Sequence, residues 1–314
     1  MTAASAPRTQ GRTALWIPLA IIYVVWGSTY LAIAIVVQTL PPLASAGLRF
    51  LLAGGALTLW LVASRGRGVL RVRRVELAAA ALVGSCLILG GNGLVSLAER
   101  DVPSGLAALI VGSVPLWVLV YRLIGGDRIR RLAVAGIVVG FAGVAFLVLP
   151  SGISGTVAPQ GLLMMIGSTL SWSWGSYMSS RLELPREPLV STGLQMLFGG
   201  MGLTLAGALT GELARLDPAR FAPSSLLALA YLVVFGSLVA FTSYTWLLQH
   251  APVSTVATYA YVNPVVAVFL GALVLHESVN ASILVGAALI IGAVAFIVRE
   301  EATRTHAPAA RATN

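Results

Sequence analysis

Ten long apolar stretches follow one another along this chain, near residues 14–36, 43–63, 76–96, 103–124, 132–149, 161–180, 189–210, 225–248, 252–274 and 279–298. A helix of about 20 apolar residues spans the hydrocarbon core of a bilayer. Inside lipid, a backbone satisfies its polar groups only as a helix or a closed barrel. The expectation is an all-α integral membrane protein with ten transmembrane helices. Composition agrees: 58% of the 314 residues are hydrophobic and 10% are charged, where soluble domains carry roughly 25% charged residues.

The formal net charge of +9 would suit a nucleic-acid binder, but its distribution argues otherwise. If the N-terminus is cytoplasmic, 15 arginines fall on the inner side, from Arg8 and Arg12 through the Arg65–Arg74 loop to Arg311. Only Arg100, Arg215 and Arg220 fall outside. By the positive-inside rule this gives N-in and C-in topology. The expected partners are the lipid bilayer and a small-molecule substrate, with no nucleic acid; monomer or homodimer stays open. The compartment is the inner (plasma) membrane, with multiple passes. The first stretch follows two arginines as a secretory leader would, but it is longer than one and lacks a clear cleavage site, so it is read as a retained helix. Cys86 is the only cysteine, which excludes an intrachain disulfide.

The second half of the chain replays the first. Trp26-Gly27-Ser28 recurs as Trp174-Gly175-Ser176, and Val144-Ala145-Phe146 as Val294-Ala295-Phe296. Pro103 and Pro115 keep the spacing of Pro252 and Pro264, and Asp127 and Gly136 that of Glu277 and Gly286. The domain expectation is a cytoplasmic tail over 1–13, a five-helix repeat over 14–149, an external linker over 150–160, a second five-helix repeat over 161–298 and a cytoplasmic tail over 299–314. Five spans per repeat is an odd number, so the second repeat starts on the opposite side of the membrane. Inverted repeats of this kind can exchange shapes around one central site, which is alternating access.

Several side chains are expected to converge at mid-membrane depth. Trp26 lies about 12 residues into its span, so roughly 18 Å deep at the α-helical rise. Trp174, Ser237, Asn263, Pro115 and Pro264 come out at similar depth. Tyr30 shares a helix face with Trp26, and Tyr177 with Trp174. Tyr259 and Tyr261 precede Asn263, and Asn92, in Gly90-Gly91-Asn92-Gly93 in the outer part of span 3, either caps a broken helix or lines the outer vestibule. These aromatics are either core packing or the wall of a cavity for an amphipathic solute. Asn263 bonds either a neighbouring helix or a ligand. Pro115 and Pro264 each free a carbonyl one turn earlier and are read as hinges or as tolerated kinks. Arg49, roughly 9 Å into span 2, either snorkels outward or meets a substrate carboxylate. Asp127 and Glu277 are read as solvated residues opening the next span.

Absences narrow the chemistry. The 11 acidic residues all fall in loops, tails or helix ends, so no mid-depth proton relay is visible. No metal-ligand cluster, P-loop or nucleophile–base pair stands out. The expectation is neither an enzyme nor a cofactor-binding protein.

The motifs Trp26-Gly27-Ser28-Thr29-Tyr30, Gly91-Asn92-Gly93, 102–108 (VPSGLAA) and 258–268 (TYAYVNPVVAV) resemble those of the EamA family of the drug/metabolite transporter superfamily, and look closest to its YedA-like branch. The resemblance implies ten helices in two inverted five-helix repeats and movement of small metabolites, often outward, amino acids among them. Superfamily branches that carry anionic sugars line their pockets with basic residues, whereas Arg49 is the one deep candidate here. The small multidrug-resistance branch uses a carboxylate in its first helix, and span 1 has none. The expected function is export of small amphipathic metabolites, such as neutral or zwitterionic amino acids, around an aromatic-lined cavity. An ion-gradient-driven multidrug exporter, and a non-transporting scaffold or lipid-interacting protein, are the alternatives.

Overall fold

The computed structural model describes residues 13–127, 129, 131–148, 157–250, 256 and 258–305, and every regular element among them is helical. The first half contains α1 (Thr13–Val36), α2 (Pro42–Arg65), α3 (Arg74–Gly84), α4 (Gly93–Ala98), α5 (Ser104–Val111), α6 (Val114–Ile124) and α7 (Arg131–Val148). The second contains α8 (Pro159–Ser179), α9 (Pro188–Leu209), α10 (Pro223–Tyr231), α11 (Ala240–His250), α12 (Tyr259–Val274) and α13 (Ala281–Thr305). Among the described residues, six helical stretches are long and apolar enough to cross a membrane: Leu15–Val36, Pro42–Arg65, Arg74–Ala98, Ser104–Ile124, Pro188–Leu209 and Pro223–Tyr244. Arg131–Phe146, Tyr259–Val274 and Ala281–Ile297 are apolar but shorter. Residues 150–156 of the expected linker over 150–160, much of the expected start of span 9 and most of both tails lie outside the described residues.

Proline starts several of these helices. Pro42, Pro159, Pro188 and Pro223 each stand at the first helical turn, where a missing N–H costs nothing and the fixed φ favours the helix. Pro115 has a different consequence. α5 stops at Val111, Gly112 and Ser113 form a turn, and α6 resumes at Val114, so this span is broken in two. Pro264 lies inside an uninterrupted α12. It is in the second turn of that helix, so it removes one hydrogen bond without separating two stable segments. The two prolines therefore do not share the local break expected of both.

Two segments wind with the wider π-helical hydrogen bonding. They are Ser85–Asn92, between α3 and α4, and Leu232–Val239, between α10 and α11. Each is eight residues long, and their starts are 147 positions apart. π segments are rare and often mark functional sites.

The packing exchanges elements between the halves. α2 lies along α9, and α7 along α13. α1 packs against α10, α11 and α12, while α8 packs against α3, the first π segment, α4 and α6. Both Trp-Gly-Ser copies thus face the other half, and their glycines permit the approach. A Cβ on Gly27 would stand 2.6 Å from Val266 Cβ, and one on Gly175 would stand 2.8 Å from Cys86 Cβ. The core is filled by side chains such as Ile22, Phe50, Leu109, Met165 and Leu203, while Leu59, Leu205, Leu227, Phe269 and Leu284 point outward. An apolar exterior of this extent is what a lipid-facing surface requires.

One end of the bundle carries connections 37–41, 99–103, 210–222 and 275–280; the other carries 66–73 and 180–187. The second end is stitched by ion pairs: Arg65–Glu187 at 3.0 Å, Arg73–Glu183 at 2.8 Å and Arg181–Asp127 at 2.9 Å. Exposed pairs of this kind each contribute little. The first end is joined by backbone capping instead. Ala44 N–H donates to Glu212 at 2.9 Å, and the N–H groups of Ser104 and Gly105 donate to Glu277 at 2.7 and 3.0 Å.

Candidate functional site

The broken span, the first π segment and the exchanged helices meet around a small chamber, and the second π segment lies behind its wall, holding Trp26 and Arg49. Its volume is about 100 Å³, and Trp26, Tyr30, Arg49, Trp172, Tyr259 and Asn263 contribute to its wall. A larger vestibule of about 370 Å³ shares Trp26, Trp172, Phe241 and Tyr259 with it and runs to Leu184 and Pro185 in the α8–α9 connection and to Pro188 at the start of α9. Drug-sized ligand pockets occupy about 300–1,000 Å³. The vestibule is of that order, while the inner chamber suits only a small group.

Trp26 stands at the centre of the aromatic wall. Its ring lies 5.3 Å from Phe241, 5.1 Å from Tyr244 and 5.2 Å from Tyr259, centroid to centroid. Its Nε1–H donates to the carbonyl of Gly236 at 3.2 Å. Gly236 lies in the second π segment, whose geometry leaves carbonyls to be satisfied from outside. The first π segment is served by α8, where Ser168 donates to Gly91 O at 2.9 Å and Ser171 to Cys86 O at 2.8 Å. Asn263 has the carbonyls of Tyr23 and Tyr259 each 3.2 Å from one side of its amide, so the nitrogen belongs there and donates to both. Tyr23 in turn bonds Thr258.

Arg49 does not snorkel. It is 4% exposed and lines the chamber. Its Nε donates to Ser237 Oγ at 3.0 Å, and its guanidinium covers the Phe50 ring at 4.6 Å. Among the described residues no carboxylate lies within ion-pair distance of it. Inward packing on Phe50, together with the hydroxyl supplied by the π segment, holds the cation inside.

The expected site residues divide into two groups. Trp26, Tyr30, Arg49, Asn92, Tyr259, Asn263, Pro115 and Pro264 border the chamber. Trp174, Tyr177, Ser237 and Tyr261 do not. Trp174 is 41% exposed and stacks edge-on against Tyr121 at 5.1 Å. Tyr177 is buried under the Arg181 guanidinium, 3.9 Å from its ring centre. Ser237 is buried beneath Arg49, and Tyr261 packs against the main apolar core. Trp172 replaces Trp174. Two residues along a helix turn a side chain by roughly 200°, so only one of this pair can face inward. The seryl hydroxyls of α8, spaced at 168 and 171, were a polar stripe that could have marked the inward face.

Two charged residues also depart from expectation. Glu277 is not a solvated start to the next helix but the cap of α5 in the other half. Its carboxylate accepts the free N–H groups that every helix start presents. Asp127 accepts from Arg122 at 3.1 Å and from Arg181 at 2.9 Å. These bonds, that from Arg122 foremost, hold its carboxyl below the usual range.

Residues 14–149 and 159–299 each match the family described as the EamA-like transporter family. The Escherichia coli K12 protein named uncharacterized inner membrane transporter YedA is 39% identical over 251 residues, covering 80% of this chain and 79% of that one. A Salmonella typhimurium protein named probable amino-acid metabolite efflux pump is 24% identical over 285 residues, covering 86% and 90%. A solved crystal structure with 24% sequence identity superposes with a TM-score of 0.62, covering 95% of this chain and all of that one. That likeness concerns the fold alone.

Proposed function

The chain belongs to the EamA-like transporter family, and we propose that it exports small amphipathic metabolites, neutral or zwitterionic amino acids or related compounds, by alternating access. It is read as a multi-pass inner-membrane protein, as its Escherichia coli relative is named. The proposed architecture is ten membrane helices in two inverted five-helix repeats, over 14–149 and 161–298, with both termini cytoplasmic. The exchanged packing of α1 and α8 and the paired π segments support that reading.

The observation that carries the substrate class is the lining of the chamber. Aromatic faces from Trp26, Trp172 and Tyr259 surround one buried cation, Arg49, and the neutral amides Asn92 and Asn263. Such a wall favours a flat apolar body with a carboxylate end directed at Arg49, and it disfavours organic cations. In this reading the vestibule opens to the cytoplasm, because the α8–α9 connection lies on the arginine-rich side. The broken α5–α6 joint at Pro115 is the proposed hinge. Tyr30 lines the chamber beside Arg49, while Ser237 acts by holding Arg49.

Counterflow in proteoliposomes with a panel of labelled amino acids tests the proposal. Saturable exchange of aromatic and other neutral amino acids is expected, with Arg49→Gln raising the half-saturation concentration. No exchange across the panel, together with gradient-driven flux of cationic dyes, would overturn it.

A further inference from the structure

Glu99 follows the last residue of α4, in the connection 99–103. In sequence it is one more acidic residue at a helix end. In the structure it is 5% exposed, and both of its carboxylate oxygens lack any hydrogen-bond partner. The connection around it is tightly packed. Gly161, at the start of α8, lets that helix close over the connection, so that a Cβ there would meet Val102 Cγ2 at 2.7 Å. Ala98, Val102 and Ser104 are buried with it.

An ionised carboxylate left dry and unpaired is among the most expensive arrangements in a protein, and such a group neutralises instead. The titratable and charged groups that bear on Glu99 come from three elements: Tyr30 of α1, Arg49 of α2 and Glu277 of the 275–280 connection. Glu277 is committed to capping α5 and adds like charge. Among the described residues Arg49 is the opposing group, its Nε is already bound to Ser237, and no carboxylate is in ion-pair contact with it. Burial pushes the Glu99 carboxyl up, Glu277 adds to the effect, and Arg49 acts against it.

We propose that Glu99 is a proton-binding site built into the closed end of the transporter: closing that end takes up one proton, and opening it releases one. The O–H bond forms on Glu99 with a proton from the solution facing that end and breaks again when the connection lifts; no redox partner is involved. Closure and proton binding are then linked. Acid on that side holds the end shut, and the chamber behind it, with Tyr30 and Arg49 in its wall, stays sealed from that solution. The direction of this effect in transport rests on reading that end as the outer one; the proton site itself does not.

Infrared titration of the purified protein in lipid nanodiscs tests the site without any solute. A protonated-carboxyl band persisting above the ordinary carboxylate range is expected in the wild type. It should vanish in Glu99→Gln, remain in Glu277→Gln, and shift but survive in Glu99→Asp, which retains a carboxyl if Gln disturbs folding. No such band at neutral pH, or a band indifferent to Glu99→Gln, overturns the proposal. Counterflow of labelled tryptophan then tests the linkage. Outer acidification should slow it, by at most about tenfold per pH unit for a single proton, and Glu99→Gln should flatten the profile. An unchanged profile in Glu99→Gln, or flux that follows sodium instead of pH, overturns the linkage. Absence of tryptophan exchange with the infrared band intact would count against the amino-acid reading and leave the proton site standing.

Discussion

Arg49 and Ser237 join the two halves through a single buried hydrogen bond, from the guanidinium Nε to the seryl Oγ at 3.0 Å. Ser237 lies in the second π segment and has no exposed surface. Removing its hydroxyl leaves a buried cationic N–H without its acceptor, which typically costs about 1–3 kcal/mol. Ser237→Ala is expected to lower the melting temperature in lipid nanodiscs and to weaken solute exchange, because Arg49 loses its orientation. A melting temperature equal to wild type would mean that the packing on Phe50 alone fixes the guanidinium.

The two tryptophans of α8 should separate cleanly in transport. Trp172 borders both the chamber and the vestibule, whereas Trp174 stacks on Tyr121 and Tyr177 away from them. An aromatic contact is worth roughly 0.5–1.5 kcal/mol beyond its area, or about two- to tenfold in affinity. Trp172→Ala is expected to raise the half-saturation concentration in counterflow by that factor, with Trp174→Ala close to wild type. The reverse order would return the wall to the second Trp-Gly-Ser copy.

That reversal shows what was legible in the sequence. The repeat drew attention to Trp174 because it aligns with Trp26, and Trp26 does line the chamber. But α1 and α8 do not present their copies identically, and a helix face two residues away took over. Helix positions were readable because apolar runs of membrane length leave little choice, and the break near Pro115 because proline cannot donate. The π segments had no such marker. Carbonyls of their wider turns accept from Trp26, Ser168 and Ser171 on distant helices, which a local pattern cannot contain. Glu99 was hidden for a similar reason. The groups that bear on it, Tyr30, Arg49 and Glu277, come from distant parts of the chain.

Close approach at Gly27 gives a test of the packing between α1 and α12. A Cβ there would stand 2.6 Å from Val266 Cβ and 3.2 Å from the carbonyl of Asn263. Overpacking of this kind costs typically about 1–3 kcal/mol. Gly27→Ala is expected to lower the melting temperature and to displace Asn263 from the chamber wall. Gly55, with nothing within 4 Å of its would-be Cβ, supplies the control: Gly55→Ala should be neutral or slightly stabilising, since alanine is the better helix former.

Asp127 offers a pH test at the opposite end from Glu99. It accepts from Arg122, at the end of α6, and from Arg181, just beyond α8, and its carboxyl is held below the ordinary value. A lowered folded pKa means that the unfolded chain binds more protons in the intervening window, so stability rises with pH there. The contribution of Asp127 is therefore present above about pH 4, the unfolded aspartate value, and is lost as pH falls through the folded one. The expected observation is that Asp127→Asn melts below wild type near neutrality and that the gap closes on acidification. Because the three side chains are partly exposed, high salt should narrow the same gap. A gap independent of both pH and salt would show that Asp127 acts through its shape in the turn and not through its charge.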